Sequence, residues 1–298
     1  MSCLCNEGMQ NLGLRACDLL FKETVGVFFV PTYANDGNKN KILAADTLNE
    51  AYFLAKVNET DPSKRWYPIM NLENVKDVRA ADELFTAESG AKFALQDGLR
   101  SFEAKMFAIA ARMISKLASI GCNDVSVYRV DRDGAIVGKT DGTDFYPCRL
   151  AKSTFQTLFT WATAKTPQDI TMMFDFHSTE KDEDLRGIRS SSMANVDLTS
   201  LPALLDVTIA TSNISATGFT ATLKGDEDEF GVDFFIEGFV KADFELTKAG
   251  SPIVITSVTE TSPGVYVFVV PTATGSHVLA KASTKTGYEM PTATVLFP

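Results

Sequence analysis

The chain has 298 residues, 45% of them hydrophobic and 22% charged, with a formal net charge of −10. A chain of this length has room for two domains and a substantial core without staples. The acidic balance excludes a sequence-nonspecific nucleic-acid binder, which needs Lys and Arg to displace counterions from phosphate, but not a surface that nucleic acid passes without sticking.

In chain order, Met1–Lys41 gives no reading. The apolar spacing over Leu48–Val57 predicts a helix, which Asp61–Pro62–Ser63–Lys64 ends. Trp66–Leu72 reads as extended, because Pro68 is excluded from a helix interior. A short helical turn is expected at Ala81–Thr86. Over Gly98–Phe107, Phe102, Ala104 and Met106 alternate with polar neighbours, as in a strand. The spacing then lengthens at Ile109, Met113, Leu117 and Ile120 to that of a helix, with Gly121 as its cap. Asp131–Arg132–Asp133–Gly134 predicts a hairpin turn between strands Val125–Val130 and Ala135–Gly138. Thr154–Ala164 reads as another short helix. Ile170–Ser178 reads as a strand that runs into the charged stretch Glu180–Asp184.

A boundary is expected near Leu205. All arginines, both tryptophans and all five cysteines precede it. From Asp206 onward there are 11 acidic residues and 5 lysines, giving −6; subtraction from the whole leaves 27 acids and 23 bases, or −4, for the first part. The second part reads as strands: Asp206–Ile214, Gly218–Leu223, Gly231–Phe235, Phe239–Leu246, Ile253–Thr259, Gly264–Val270, Ser276–Ala282 and Thr292–Phe297. Turn signals separate them, among them Lys224–Gly225–Asp226 and Ser262–Pro263–Gly264. The expected fold class is therefore α+β, mainly β: a mixed domain over 1–205 and an all-β sandwich over 206–298.

Chemical motifs are sparse. Cys3, Cys5, Cys17, Cys122 and Cys148 are an odd set crowded at one end, so reduced thiols are expected; Cys3, Cys5 and Cys17 also fall short of a four-ligand zinc site. Gly134 to Thr140 resembles a phosphate-binding loop, but only three residues separate its glycines where that motif needs four. Asp131, Asp133 and Gly134 suggest a calcium loop, yet the twelfth position, which needs Glu, is Gly142. His177 and His277 are the only histidines, too few for a nucleophilic triad, so no catalytic residue, metal site or cofactor is expected. Two acidic clusters stand out: Glu180, Asp182, Glu183 and Asp184, and Asp226, Glu227, Asp228 and Glu229. The first is the candidate for a like-charge lining that repels phosphate. Trp66 and Tyr67 form, with Met70 and beside Lys64 and Arg65, a candidate subunit contact. No basic segment leads into an apolar region at the start and no apolar run approaches about 18 residues, so the expectation is a chain made in the cytoplasm with no membrane partner.

The order of elements resembles the tail-tube proteins of tailed bacteriophages: the strand Gly98–Phe107, the helix Ile109–Ile120, the hairpin at Asp133–Gly134, and Ile170–Ser178 running into Glu180–Arg186. In the second part, Thr256 to Tyr266 resembles the strand–turn–strand of immunoglobulin-like modules appended to bacterial and phage surface proteins. The resemblance implies a small β-sandwich with a flanking helix, and long hairpins joining subunits into hexameric rings. Such rings stack into a tube that other tail proteins join and DNA crosses without specific binding, in the virion tail. It also implies an immunoglobulin-like domain on the outside. On that reading Ser101, Glu103 and Lys105, with Asp175, His177 and Thr179, are the polar face of a ring-lining sheet. Two other classes remain at this level: a surface or decoration protein whose immunoglobulin-like domain binds a carbohydrate or receptor, and a carboxylate-using metal-dependent hydrolase.

Overall fold

The computed structural model describes residues 21–107, 109–194, 196–227 and 233–298. The fold is mainly β, with two helices among the described residues. The chain divides into two compact units, one ending at Leu201 and the other beginning at Pro202.

The first unit runs β1 (Thr24–Pro31), α1 (Glu50–Val57), β2 (Tyr67–Met70), β3 (Glu73–Arg79), β4 (Glu83–Thr86), β5 (Lys92–Gln96), β6 (Arg100–Phe107) and α2 (Met113–Gly121). It continues with β7 (Val125–Asp131), β8 (Ile136–Thr140), β9 (Phe145–Tyr146), β10 (Cys148–Arg149), β11 (Gln156–Thr160), β12 (Asp169–Asp175) and β13 (Leu185–Ile188). Two sheets dominate. The first has the order β13-β8-β7-β1-β2, with β9 on β8 and β10 on β7; the second has the order β11-β12-β6-β3.

The segment Thr24–Pro31, which carries no pattern legible from sequence, is an interior strand of the first sheet and pairs antiparallel with β7 and β2. Its run Val-Phe-Phe-Val is apolar at successive positions because both faces are covered. Val27 and Phe29 meet Val127 of β7, Phe102, Ala104 and Met106 of β6, and Ile170, Met172 and Phe174 of β12 in the core between the sheets. Phe28 and Val30, on the opposite face, pack with Phe53, Trp66, Tyr128, Met193 and Leu198 in a second core.

Helix α1 starts where Asn49 accepts a hydrogen bond from the Tyr52 amide at 2.9 Å, satisfying one of the donors a helix start leaves open. It buries Phe53 and Val57. Helix α2 buries Leu117 and lies close on the chain before β11: a Cβ on Gly121 would come within 3.2 Å of the Phe155 side chain. Gly121 belongs to the helix itself, and Cys122 is the cap.

Two expected helices are strands. Ala81–Thr86 contains β4, and Thr154–Ala164 contains β11, whose Gln156, Leu158 and Thr160 are exposed while Thr157 and Phe159 turn inward. The two-residue alternation and the aromatic and β-branched content of β11 favour pairing with β12 over helix formation.

The second unit contains β14 (Leu205–Asp206), β15 (Thr208–Ser215), β16 (Gly218–Glu227), β17 (Asp233–Phe235), β18 (Phe244–Lys248), β19 (Ser251–Ile253), β20 (Ser257–Ser262), β21 (Val265–Val269), β22 (Gly275–Lys281), β23 (Tyr288–Glu289) and β24 (Ala293–Phe297). The sheets β15-β16-β21-β20, with β17 on β16, and β19-β18-β22-β24 enclose one core containing Phe219, Phe244, Tyr266, Phe268, Leu279 and Phe297. The expected turn at Lys224–Gly225–Asp226 lies inside β16, because the strand continues to pair with β17. The expected strand Ile253–Thr259 is broken: its first residue ends β19 in one sheet, and Ser257 begins β20 in the other.

Candidate functional site

Strands β3 and β6 pair from Glu73↔Lys105 to Arg79↔Arg100, and the chain between them extends this ladder as a separate two-stranded sheet, β4 with β5. The tip is closed by the Ala87 amide bonding the Ala91 carbonyl at 2.8 Å. Leu84, Phe85 and Phe93 on this arm are 52%, 52% and 56% exposed, and none belongs to either core of the unit. A lone two-stranded ribbon is marginal in water, and open aromatic side chains add to its need for a partner. At the joint the Ala80 amide bonds the Leu99 carbonyl at 2.9 Å. Here any residue but glycine is excluded at position 98, because a Cβ would lie 1.8 Å from the Ala80 carbonyl oxygen.

Below the joint sits a charge network. Arg100 donates to Asp77 (Nη2 to Oδ2, 2.9 Å) and to Asp182 (Nη1 to Oδ1, 2.7 Å), while Arg129 from β7 donates to the same Asp77. Arg79 donates to Asp182 at 2.8 Å, to the Gly98 carbonyl at 2.8 Å and to the Glu180 carbonyl at 2.7 Å. The hydrogen bond from Arg79 is the main reason the Asp182 carboxyl is held below its ordinary range, against the opposing effect of partial burial. Arg100 and Arg129 also lie over the Phe176 ring, at 5.6 and 5.9 Å from its centroid. The Arg129 Nε is buried with no hydrogen-bond partner among the described residues.

The face of the second sheet turned away from its core is a polar ladder, exposed at Ser101 and buried at Asp169 and Thr171. Lys76 pairs with Glu103 at 2.9 Å, Lys105 with Asp169 at 3.1 Å, and Ser101 donates to Asp175 at 2.6 Å. Its two outer strands, β3 and β11, each pair on one side only among the described residues. The β11 edge carries Leu158 and is followed by Trp161, 55% and 74% exposed. An open edge flanked by apolar side chains is a template for a further strand.

Residues singled out from the sequence fall in several places. Ser101, Glu103, Lys105 and Asp175 share the polar face, whereas His177 and Thr179 lie beyond the end of β12 and bond each other at 2.9 Å. The acidic cluster Glu180, Asp182, Glu183, Asp184 is not one like-charge surface. Glu180 is buried against Lys139 at 2.5 Å and Asp182 is held by two arginines, which leaves Glu183 and Asp184 exposed. Trp66 is a core residue, 4.9 Å from the Tyr128 ring and 5.4 Å from Phe28, and so is not a surface contact. Tyr67, beside it on β2, is exposed.

The remaining motifs have structural roles. Asp131 Oδ1 accepts from the Asp133 and Ala135 amides at 3.0 and 2.8 Å, closing a hairpin turn that Gly134 completes at φ +74°. The phosphate-loop-like segment is β8, and its Lys139 already serves Glu180. His277 is buried beside Phe297, their rings 4.7 Å apart. Cys122 is exposed, and burial pushes the Cys148 thiol up to about 11. Cys3, Cys5 and Cys17, and the side chains of the acidic run 226–229, lie outside the described residues. Among the described residues no three His, Cys, Asp or Glu side chains are grouped to hold a metal ion, and no helix is long and apolar enough to cross a membrane.

The arm and the arginine network went unread in the sequence. The signal for the arm was present: Leu84 and Phe85, then Phe93, flank a Gly90 turn at φ +81° between two charged segments. Comparison of the chain with protein families, curated proteins and solved structures finds no match.

Proposed function

We propose that this chain is a non-enzymatic structural subunit that polymerises with copies of itself into rings, stacked as the tail tube of a tailed bacteriophage. The observation that carries the reading is the arm: a ribbon that, among the described residues, shows three open apolar side chains outside both cores and joins a sheet whose two outer strands pair on one side only. Pairing β3 of one copy with β11 of the next would join these sheets around a closed ring and remove both edges. Leu158 and Trp161 then offer apolar cover at that seam. With the sheets so joined, the ladder of Lys76, Ser101, Glu103, Lys105, Asp169 and Asp175 faces the passage. Both of its lysines are occupied by carboxylates, so duplex DNA finds no free cation there to displace its counterions.

Negative-stain electron microscopy of the purified protein tests the reading. Rings or tubes are expected, and protein that stays monomeric at high concentration overturns it. A second reading, a surface protein whose second unit binds a carbohydrate or receptor, is favoured by Phe234, 60% exposed beside the Lys224–Phe235 cation–π contact. Strong selective binding on a glycan array by the full chain would promote it.

A further inference from the structure

We propose that Asp182 is a latch that fixes the direction of the arm, holding the joint of the β3–β6 hairpin to the body of the first unit. Arg79 and Arg100 sit on the two strands of the hairpin at its last paired position before the joint. Asp182 lies on a short turn, Asp182–Asp184, that belongs to neither strand, and its one carboxylate takes a hydrogen bond from each arginine. Arg79 spends its other donors on the Gly98 carbonyl, inside the joint, and on the Glu180 carbonyl, beside the latch. One planar guanidinium therefore ties hairpin, joint and turn together in a fixed geometry that Lys does not reproduce.

The anchorage is deep on one side and open on the other. Asp77 binds both Arg100 and Arg129, whose side chains are 16% and 6% exposed, whereas the Asp182 side chain is 49% exposed. The latch can open without unpacking the core, because opening moves a half-solvated carboxylate and leaves Asp77 in place. The Gly98–Asp82 contact (amide to Oδ1, 3.0 Å) and the Ala80–Leu99 bond then hold the joint itself, while Asp77 and the Phe176 amide on the Arg100 carbonyl, at 2.8 Å, keep its base on the body. The use of the arm for assembly rests on the function proposed above; the latch does not, since it is a property of the single chain.

Hydrogen exchange of the full-length chain, at a concentration where it is monomeric, tests the latch at the Ala80 and Gly98 amides. Asp182→Asn keeps the shape and removes the charge, and exchange at these two amides is expected to rise by about tenfold. Glu183→Gln, which neutralises an exposed neighbour paired with Lys181 at 3.6 Å, is expected to leave them unchanged. Arg79→Lys is expected to act like Asp182→Asn, and it decides the matter if Asp182→Asn does not fold. Equal exchange in all variants overturns the latch. So does a rise spread equally over β7 and β12, which would mean general loosening. If the wild-type chain never assembles while the joint amides respond as described, the latch stands and the polymerising function falls.

Discussion

Replacing Leu84, Phe85 and Phe93 together by Thr keeps the β-propensity of the arm while removing its apolar surface. Fully burying a Leu or Phe side chain is worth about 1.5–3 kcal/mol relative to leaving it in water. These three stand 52%, 52% and 56% exposed, so roughly half of that value is still to be gained at each, about 3 kcal/mol in all. At about 1.4 kcal/mol per factor of ten, the association constant for one arm contact falls about a hundredfold. Sedimentation velocity over a concentration series reads the shift directly: assembly should begin at about a hundredfold higher protein concentration. The melting temperature of the unassembled chain should move little, because surface substitutions away from the core usually change stability by less than about 0.5 kcal/mol. Unchanged assembly refutes the reasoning. A large loss of monomer stability refutes it too, since the side chains would then be serving the body of their own chain.

Asp77→Ala leaves Arg100 and Arg129 without their shared carboxylate and should cost about 3 kcal/mol in urea unfolding, whereas Glu103→Gln, at the half-open Lys76 pair, should cost less than about 1 kcal/mol. Phe53→Ala, at a fully buried site between Phe28 and Trp66, should cost about 3–5 kcal/mol by the same measurement. The Asp144 and Thr143 amides hold the Asp141 carboxyl at about 2, below its ordinary 3.8. Because the folded value is the lower one, the loop's stabilisation is fully present above 3.8 and disappears as pH falls toward 2. A carboxyl NMR titration of Asp141 with a midpoint near 3.8 would contradict that hydrogen bonding. Thiol labelling mapped by mass spectrometry should modify Cys122 rapidly in the folded chain and Cys148 only after unfolding.

Strands with one wet face were the legible part of the fold. Phe102, Ala104 and Met106 alternate because β6 covers a core on one side and meets solvent on the other, and α1 and α2 have the three-to-four spacing of helices with one packed side. β1 was illegible for the opposite reason: it is covered on both sides, so its residues carry no period to detect. β4 failed in yet another way, since all four of its residues are exposed and no core dictates their pattern. The acidic cluster misled because charge in sequence says nothing about neutralisation: Lys139, Arg79 and Arg100 reach Glu180 and Asp182 from 41, 103 and 82 positions away. Trp66 and Tyr67 are adjacent in sequence, but Trp66 lies just before β2 and is buried, whereas Tyr67 begins the strand and is exposed.

The position of β1 bears on synthesis. Its β2 partner is made about 40 residues later, but β7, pairing Val127 with Phe29, is made about 100 residues later. At a translation rate of roughly 5–20 residues per second, the greasiest strand of the unit waits about 5–20 s on the ribosome with at least one side unfilled. The nascent chain is most vulnerable to misassociation during that interval, and co-translational cover by a chaperone would matter most before β7 emerges.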